Sequence, residues 1–147
     1  MGKKIYLDNC CFNRPYDTQN QEVIKLETKA KLYIQELVRQ ESLNLVWSFI
    51  LDFENNANPF IEQKESIGEW KKIATTYVSA LEEIRMKANQ IQEGTGLKSK
   101  DSLHVACAIF AKSEYLITTD KKMLKTELEG IKIINPVQFV FKISEEK

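Results

Sequence analysis

Short apolar runs that favour β-strands alternate along this chain with longer stretches of helical periodicity. The strand-like runs are residues 5–7, 43–47, 115–118 and 131–134. Each is short, and the first contains no turn residue. Strands that alternate with helices are typical of a parallel sheet with helices on both faces. The pattern therefore predicts an α/β fold, a three-layer α/β/α sandwich around a central parallel sheet.

Apolar residues spaced three and four apart predict the helices between these runs. They are residues 21–40, 49–57, 60–71, 75–93, 100–112 and 121–128, with a last short helical turn after Pro136. The segment 60–93 is interpreted as a helical arm between the second and third strands. The chain has no linker or low-complexity segment, so residues 1–147 are predicted to be a single domain.

The composition bounds what the chain binds. Of 147 residues, 43% are hydrophobic and 29% are charged, which is typical of a globular protein. Basic and acidic residues number 21 each, so the net charge is zero and implies no partner held by a bulk positive field. No apolar run is long enough to span a membrane, and no signal core follows the first residues. A cytoplasmic protein with no membrane partner is expected.

The cysteines indicate neither a disulfide framework nor a zinc site. Cys10 and Cys11 are adjacent, Cys107 is distant, and no Cys-x-x-Cys pair is present. An odd number without regular spacing argues against disulfides and structural zinc. All three are interpreted as small, reduced core residues.

Acidic residues follow two of the predicted strands. Asp8 ends the first strand and Asp120 ends the third. Ligands of open α/β sheets bind beyond the carboxyl ends of the strands, so both side chains are expected at one edge of the sheet. Asp101 lies in the first turn of the buried helix before the third strand and is predicted to point into the same crevice.

The helix after the second strand carries two further candidates, Asp52 and Glu54. Residues two positions apart on a helix point about 200° away from each other, so only one of the two acids can face inward. Glu54 shares its side with Ile50 and Ala57, which we interpret as the inward side. Asp52 shares its side with Ser48 and is expected to face water. Glu54 is therefore the predicted fourth acid.

Four carboxylates in one crevice repel one another and raise one another's pKa values. A divalent cation relieves that repulsion, and oxygen ligands without thiolate or imidazole suit Mg²⁺ or Mn²⁺. Such a cation activates water and neutralises charge on a phosphodiester. The four acids together predict metal-dependent phosphodiester hydrolysis, with Asp8, Glu54, Asp101 and Asp120 as catalytic and metal-binding residues.

Each acid taken alone also has a structural explanation. Asp120 is well placed to cap the helix that follows it, and Asp101 in a first helical turn favours the helix dipole. Glu54 alone is explained as a partly exposed helix residue. Asp8 is the hardest to explain structurally, because an acid at the end of an apolar run needs a partner. The metal site is thus predicted from the convergence of the acids.

Basic residues flank these acids. Lys98 and Lys100 lie beside Asp101, and Arg14 follows the first strand. They are candidates for phosphate contacts, although a solvated face explains the lysines equally well. The one histidine, His104, lies one turn after Asp101 on a buried helix. It is interpreted as a core histidine with satisfied hydrogen bonds, not as a catalytic base.

These segments resemble PIN-domain ribonucleases, the fold of VapC-like toxins. The resemblance covers essentially the whole chain. The matching pieces are Ile5-Tyr6-Leu7-Asp8-Asn9, Trp47-Ser48 through Glu54-Asn55, Lys100 through Ala108, Leu116-Ile117-Thr118-Thr119-Asp120 and Ile134-Asn135-Pro136. It implies a PIN-like α/β/α sandwich that cleaves RNA with Mg²⁺ or Mn²⁺. The acids that would carry the metal, directly or through water, are Asp8, Glu54, Asp101 and Asp120.

The resemblance implies further roles and partners. Thr119 would be a hydroxyl that orients Asp120 or a substrate phosphate. In the toxin branch a small antitoxin protein occupies the acidic groove, and homodimers are common. The family often has serine or threonine after the first aspartate, where this chain has Asn9 and Cys10. Asn9 can still hydrogen-bond a phosphate or a ligand water.

Two other interpretations of these residues need to be compared with the ribonuclease. A haloacid-dehalogenase-like phosphatase also places an aspartate after its first strand, but it needs a second aspartate where this chain has Cys10. A catalytically inactive PIN-like scaffold that binds RNA or a protein partner is the stronger rival. The presence of all four acids argues against it, because a degenerate member would normally lack at least one.

Overall fold

The computed structural model describes residues 2–13 and 21–145. The strands in this part of the chain are β1 (Lys3–Leu7), β2 (Leu43–Ser48), β3 (Thr76–Val78), β4 (Tyr115–Ile117) and β5 (Lys132–Ile134). The helices are α1 (Asn9–Asn13), α2 (Glu22–Arg39), α3 (Phe49–Asn56), α4 (Ile61–Ile73), α5 (Glu82–Thr95), α6 (Ser99–Phe110), α7 (Lys121–Leu124) and α8 (Pro136–Glu145). Arg14 lies outside the described residues.

The strands form one parallel sheet in the order β3-β2-β1-β4-β5. The chain builds outward from β1 through β2 to β3, and then crosses back to add β4 and β5 on the other side. The strand order therefore reverses between β1 and β4. In open parallel sheets this point leaves a crevice beyond the strand ends, and ligands bind there.

Helices cover both faces of the sheet. Tyr6 of β1 hydrogen-bonds His104 of α6, while Tyr115 of β4 packs edge-on against Phe139 of α8. Tyr6 is in register with Leu116, and adjacent residues of a strand point to opposite faces, so Tyr115 lies on the other side from Tyr6. The predicted three-layer α/β/α sandwich is confirmed.

The predicted helix over 75–93 is wrong at its start. Thr76–Val78 forms β3, which pairs with the end of β2 at the sheet edge, and α5 begins only at Glu82. A helix over 75–93 would place Tyr77 and Leu81 on its packed face with Ile84, yet these two side chains are 44% and 42% exposed. Edge pairing prevails because β-branched residues on both sides of Tyr77 favour an extended backbone.

The strand β3 lies within the segment 60–93 that is predicted as a helical arm. Because β3 belongs to the sheet, α4 is the connection that carries the chain from α3 to the sheet edge. The helix α5 then returns along α6, against which it packs. The segment is therefore not helical throughout, because its residues 76–78 belong to the sheet.

Smaller differences occur at the helix ends. The helix α7 ends at Leu124, earlier than the predicted 128, because Leu128 instead forms an antiparallel bridge with Ile131. The last helix is a full element, Pro136–Glu145, and not a short turn. Within residues 2–13 and 21–145, no helix combines the length and apolarity needed to cross a lipid bilayer.

A buried lysine supports the first helix of the site. Lys31 of α2 is fully buried, and its Nζ lies 4.7 Å from the centre of the Phe12 ring in α1. In the orientation that satisfies its neighbours, the Gln35 amide oxygen accepts from Lys31 Nζ at 2.9 Å. Burial is the main cause that lowers the Lys31 pKa from 10.5 to about 8.

We expect Lys31→Met to gain stability over wild type at neutral pH and to lose that advantage at alkaline pH. Below the folded pKa of about 8 the lysine is charged in both states, so the full cost of burying the charge is present. Between about 8 and 10.5 the folded protein releases the proton and the unfolded chain keeps it, so wild-type stability rises. The difference between the Lys31 pKa values of the folded and unfolded states corresponds to about 3 kcal/mol of unfolding free energy.

Urea unfolding at about pH 7 and about pH 10 gives the unfolding free energies of wild type and Lys31→Met. The difference between the two proteins should be smaller at the higher pH. Lys29→Met, at an exposed position of the same helix, is the control and should show no pH-dependent difference. A constant difference for Lys31→Met across this range would show that burial does not disfavour the ammonium.

Candidate metal centre at the strand switch point

Asp8 lies at the carboxyl end of the central strand and is only 6% exposed. Its backbone N–H donates to the Ile117 carbonyl at 3.0 Å, which ties it to β4. Its Oδ2 accepts from Thr118 Oγ1 at 2.8 Å, and its Oδ1 accepts from the Asn9 N–H at 2.7 Å. These donors supply the partners that a buried carboxylate requires.

The structure brings the four predicted acids to one open cleft of about 400 Å³. Its walls are formed by Asp8, Asn9, Cys10, Glu54, Asp101, Thr119 and Asp120. The acids come from four separate segments: the end of β1, the helices α3 and α6, and the residues after β4. Their convergence agrees with the sequence analysis, while their roles in catalysis and metal binding remain predictions.

Asp101 and Asp120 each have a structural position at the start of a helix and also line the cleft. Asp120 Oδ1 accepts from the Met123 N–H at 2.9 Å and so caps α7, as its structural explanation required. The same carboxylate lines the cleft. Burial, followed by the negative charges of Asp120 and Asp8, raises the Asp101 pKa above its ordinary value. Repulsion from neighbouring acids therefore adds to the effect of burial at Asp101.

His104 lies closer to the acids than the sequence predicted. It is buried and hydrogen-bonded, as expected of a core histidine, but its Nε2 lies 2.5 Å from Glu54 Oε1 and 3.6 Å from Asp8 Oδ1. Burial disfavours the imidazolium. The Glu54 hydrogen bond and the charges of Asp8, Glu54 and Asp101 outweigh burial, so the His104 pKa is raised.

A chain of hydrogen bonds holds His104 from behind. Its Nδ1 lies 2.6 Å from the Tyr6 hydroxyl, which lies 2.7 Å from Ser48 Oγ. Burial raises the Tyr6 pKa well above its usual value, so the phenol keeps its proton. With Nδ1 accepting from Tyr6, a neutral imidazole carries its proton on Nε2 and donates to Glu54. The sheet core thereby orients a buried histidine that contacts the cleft residue Glu54.

The choice between Asp52 and Glu54 is explained by the faces of α3. Glu54 lines the acid cleft, whereas Asp52 points away and accepts from Trp47 Nε1 at 2.8 Å, Lys71 Nζ at 3.1 Å and Tyr77 Oη at 2.5 Å. Asp52 was expected to face water. Its hydrogen bonds instead connect α3 with α4 and β3.

The donor set fits a divalent cation. Ligand atoms of Asp8, Glu54 and His104 all lie within 4.8 Å of one another. In the described part of the chain no other three such residues meet this spacing, so Asp101 and Asp120 line the cleft at longer range. Carboxylate oxygens suit hard cations. His104 lies within this group, but with Nε2 donating to Glu54 it supports that ligand and leaves the carboxylate oxygens to bind a cation. The sequence did not predict this support.

Two other residues of the site were missed. Thr118 makes hydroxyl contacts with both strand-end acids: it donates to Asp8 and accepts from the Asp120 N–H at 3.0 Å. Thr119 Oγ1 donates to Cys10 Sγ at 3.2 Å. Cys10, expected in the core, is half-buried and lines the cleft. A polar residue directly after the apolar run 115–117 was the available signal for Thr118.

The predicted phosphate contacts lie at the margin. Lys98 and Lys100 are exposed at the start of α6, and neither lines the cleft. Lys100 Nζ lies 5.3 Å from the centre of the Phe53 ring, on the helix that carries Glu54. Contacts of these lysines with a substrate remain predictions, and Arg14 is outside the described residues.

Comparison with known proteins assigns this arrangement to a family. The model of the PIN domain matches residues 5–128, which contain all four acids. The chain belongs to the PIN-domain family. Twelve chains of solved structures also match. One is a chain from a crystal structure of VapBC2 from Rickettsia felis. In that structure VapBC2 is bound to a DNA fragment from its promoter.

The likeness to this VapBC2 chain shows that the PIN fold is shared. The TM-score is 0.56 at 13% sequence identity, covering 90% of this chain and 98% of the other. No curated protein matches the sequence significantly. Family membership therefore comes from the PIN-domain match, and the shared architecture comes from the solved structure.

We expect Asp101→Asn to weaken stabilisation by Mn²⁺ without weakening the protein in chelator. Removing one negative charge relieves repulsion in the ion-free cleft and also removes a charge that attracts the ion. In thermal or urea unfolding, Mn²⁺ at about 100 times its Kd stabilises wild type by about 2.7 kcal/mol. A tenfold loss of affinity removes about 1.4 kcal/mol of that gain.

Asp52→Asn is the matched control, because it removes an acid from the opposite side of α3. It should lower stability through its lost hydrogen bonds and leave the Mn²⁺-dependent gain unchanged. Equal Mn²⁺ responses of wild type and Asp101→Asn would exclude Asp101 from the metal centre.

Proposed function

We propose that this PIN-domain protein is a metal-dependent endoribonuclease that hydrolyses RNA phosphodiester bonds and is the toxin of a toxin–antitoxin pair. The observation that carries the proposal is the convergence of four carboxylates in one open cleft at the strand switch point. Membership of the PIN-domain family supports the proposal, because the sequence segments around the acids resemble those of PIN-domain ribonucleases. The cofactor would be Mg²⁺ or Mn²⁺.

Asp8 and Glu54 would hold the cation, with Asp101 and Asp120 binding it directly or through water. The bound cation would supply Lewis-acid chemistry, neutralising phosphodiester charge and lowering the pKa of water. The protein contributes orientation. Thr118 and the Asn9 N–H fix both oxygens of Asp8, so this carboxylate needs little rearrangement when charge develops in the cleft.

His104 is a positioning residue for Glu54 in this proposal. Its Nε2 contact holds the Glu54 carboxylate toward Asp8, and Tyr6 and Ser48 fix the ring. Hydrogen bonds behind a ligand that fix its orientation are typical of metal centres. Before a cation binds, a protonated His104 would also offset part of the negative charge of the acids.

The proposal includes a small antitoxin as partner. It is supported by the family resemblance and by the shared fold with a chain from the VapBC2 complex. The cytoplasmic location, the homodimer and the single-domain boundary stay predictions. The inactive scaffold is less well supported, because the described structure retains all four acids and holds Asp8 in a fixed orientation.

We expect Asp8→Asn to lower Mn²⁺-dependent cleavage of a mixed RNA pool by at least about 100-fold. Loss of a metal-binding carboxylate removes several kcal/mol of charge stabilisation, and each 1.36 kcal/mol is tenfold in rate. Wild type and variant are purified in parallel and assayed with Mn²⁺ and with chelator. Glu62→Gln, at an exposed position of α4, is the control and should cleave like wild type.

The assay separates the two functions considered. Cleavage by wild type alone, stopped by chelator, supports the ribonuclease. Wild-type rates for Asp8→Asn would contradict the assignment of the acids. A wild type that neither cleaves the pool nor binds Mn²⁺ in a titration would favour the inactive scaffold.

We expect induced expression of wild type in a bacterial host to arrest growth, because an unrestrained ribonuclease destroys essential RNA. Expression of Asp8→Asn at the same protein level should leave growth unaffected. Growth curves and immunoblots measure both quantities. Equal growth of the two cultures, at equal soluble protein, would argue against the toxin part of the proposal.

A further inference from the structure

A second cavity lies beside the acid cleft and shares two residues with it. Its volume is about 310 Å³, at the lower end of the range of small-ligand sites. Its lining is Asn9, Asn13, Glu54, Ala57, Asn58, Pro59, Phe60 and Gln63. Asn9 and Glu54 also line the acid cleft, so the two cavities are neighbours. A polymer held across the acids would place its next unit here.

The lining has an exposed aromatic ring on a backbone that is held by hydrogen bonds. Phe60 is 65% exposed and precedes the first turn of α4. Its N–H donates to Asn58 Oδ1 at 3.0 Å, and its carbonyl accepts from the Lys64 N–H at 2.8 Å. Pro59 lies between these anchors and restricts the backbone further. These contacts fix the backbone of Phe60 and so the point from which its ring projects into the cavity lining.

Side-chain amides make up most of the polar lining. Gln63 Nε2 donates to Asn13 Oδ1 at 2.7 Å, and Asn13 Nδ2 donates to the Asn9 carbonyl at 3.1 Å. Asn9 Oδ1 is buried and has no hydrogen-bond partner in the described structure. An unsatisfied buried acceptor costs free energy, so a donor brought by a ligand would improve its situation.

The chemistry of this lining selects among possible ligands. None of the lining residues is basic and Glu54 is acidic, so the cavity is unsuited to a phosphate. Amides offer a donor and an acceptor together, which matches the edges of nucleobases, and an aromatic ring stacks on the face of any base. A protein-docking groove would be more apolar at its centre.

We propose that this cavity is a base-binding subsite for single-stranded RNA, in which Phe60 stacks on the unpaired base next to the cleaved phosphodiester. Asn9 and Gln63 hydrogen-bond the edge of that base and bias which nucleotide is accepted. This inference rests on the proposed ribonuclease function. It adds a residue set outside the acids that determines where the RNA is cut.

The first test measures RNA binding without cleavage. Variants are made in an Asp8→Asn background, and the probe is a fluorescently labelled single-stranded RNA of mixed sequence, titrated with Mn²⁺ present. Phe60→Leu keeps an apolar side chain but loses the aromatic face, and should weaken binding about 5- to 100-fold. Phe60→Tyr keeps the face and should bind within about twofold of its parent.

The matched control is Phe141→Leu. Phe141 has the same 65% exposure but lies on α8, outside both cavities. This variant should bind RNA as its parent does. Equal affinity of Phe60→Leu, Phe60→Tyr and the parent would overturn the proposal, and Phe60 would then be explained as a contact for a protein partner.

The second test sequences the cleavage products of the active protein. Phe60→Leu should raise KM more than it lowers kcat and should broaden the base preference beside the cut, while Phe60→Tyr retains both. An unchanged preference and KM in Phe60→Leu would contradict the subsite. If wild type cleaves nothing but binding still depends on Phe60, the ribonuclease function fails and the base-binding site stands.

Discussion

The rest of the site depends on the burial of one charge, the carboxylate of Asp8. A nearly buried carboxylate at the end of the central strand is costly unless donors surround it. Thr118, which follows β4, and the first backbone N–H of α1 supply those donors. Satisfying Asp8 thus requires β1, β4 and α1 to meet in one arrangement. The same arrangement places Asp120 two residues beyond Thr118, and so assembles the acid cleft.

The protein balances the resulting negative charge with its own groups before any cation is considered. His104 is buried, which disfavours its positive charge, yet the surrounding acids raise its pKa. Asp101 responds in the complementary way, because its raised pKa favours the neutral carboxyl. Each shift reduces the net charge of the cleft. A cation would take over this balancing role, and the proton on His104 and the cation would then compete for the same carboxylates.

The sequence predicted the architecture because apolar runs and helical periodicity are local signals. It also predicted the meeting of four acids: parallel strand ends bring Asp8 and Asp120 together, and helical periodicity and position placed Glu54 and Asp101 beside them. It missed β3, whose three residues at the sheet edge also fit a helical seam. It missed the roles of His104 and Thr118 because these depend on contacts between distant segments. Tyr6 and His104 are 98 residues apart, and no pattern in either segment reveals that their side chains meet.

The central position of β1 has a consequence for how the protein forms during synthesis. β1 and β2 are made early and can pair soon afterwards, but Asp8 must wait 110 residues for the hydroxyl of Thr118. At about 5–20 residues per second, this interval is roughly 5–20 s on the ribosome. A partly made chain therefore exposes Asp8 without its β4 partners. The acid cleft is complete only once β4 has left the ribosome, so the growing chain lacks the assembled site.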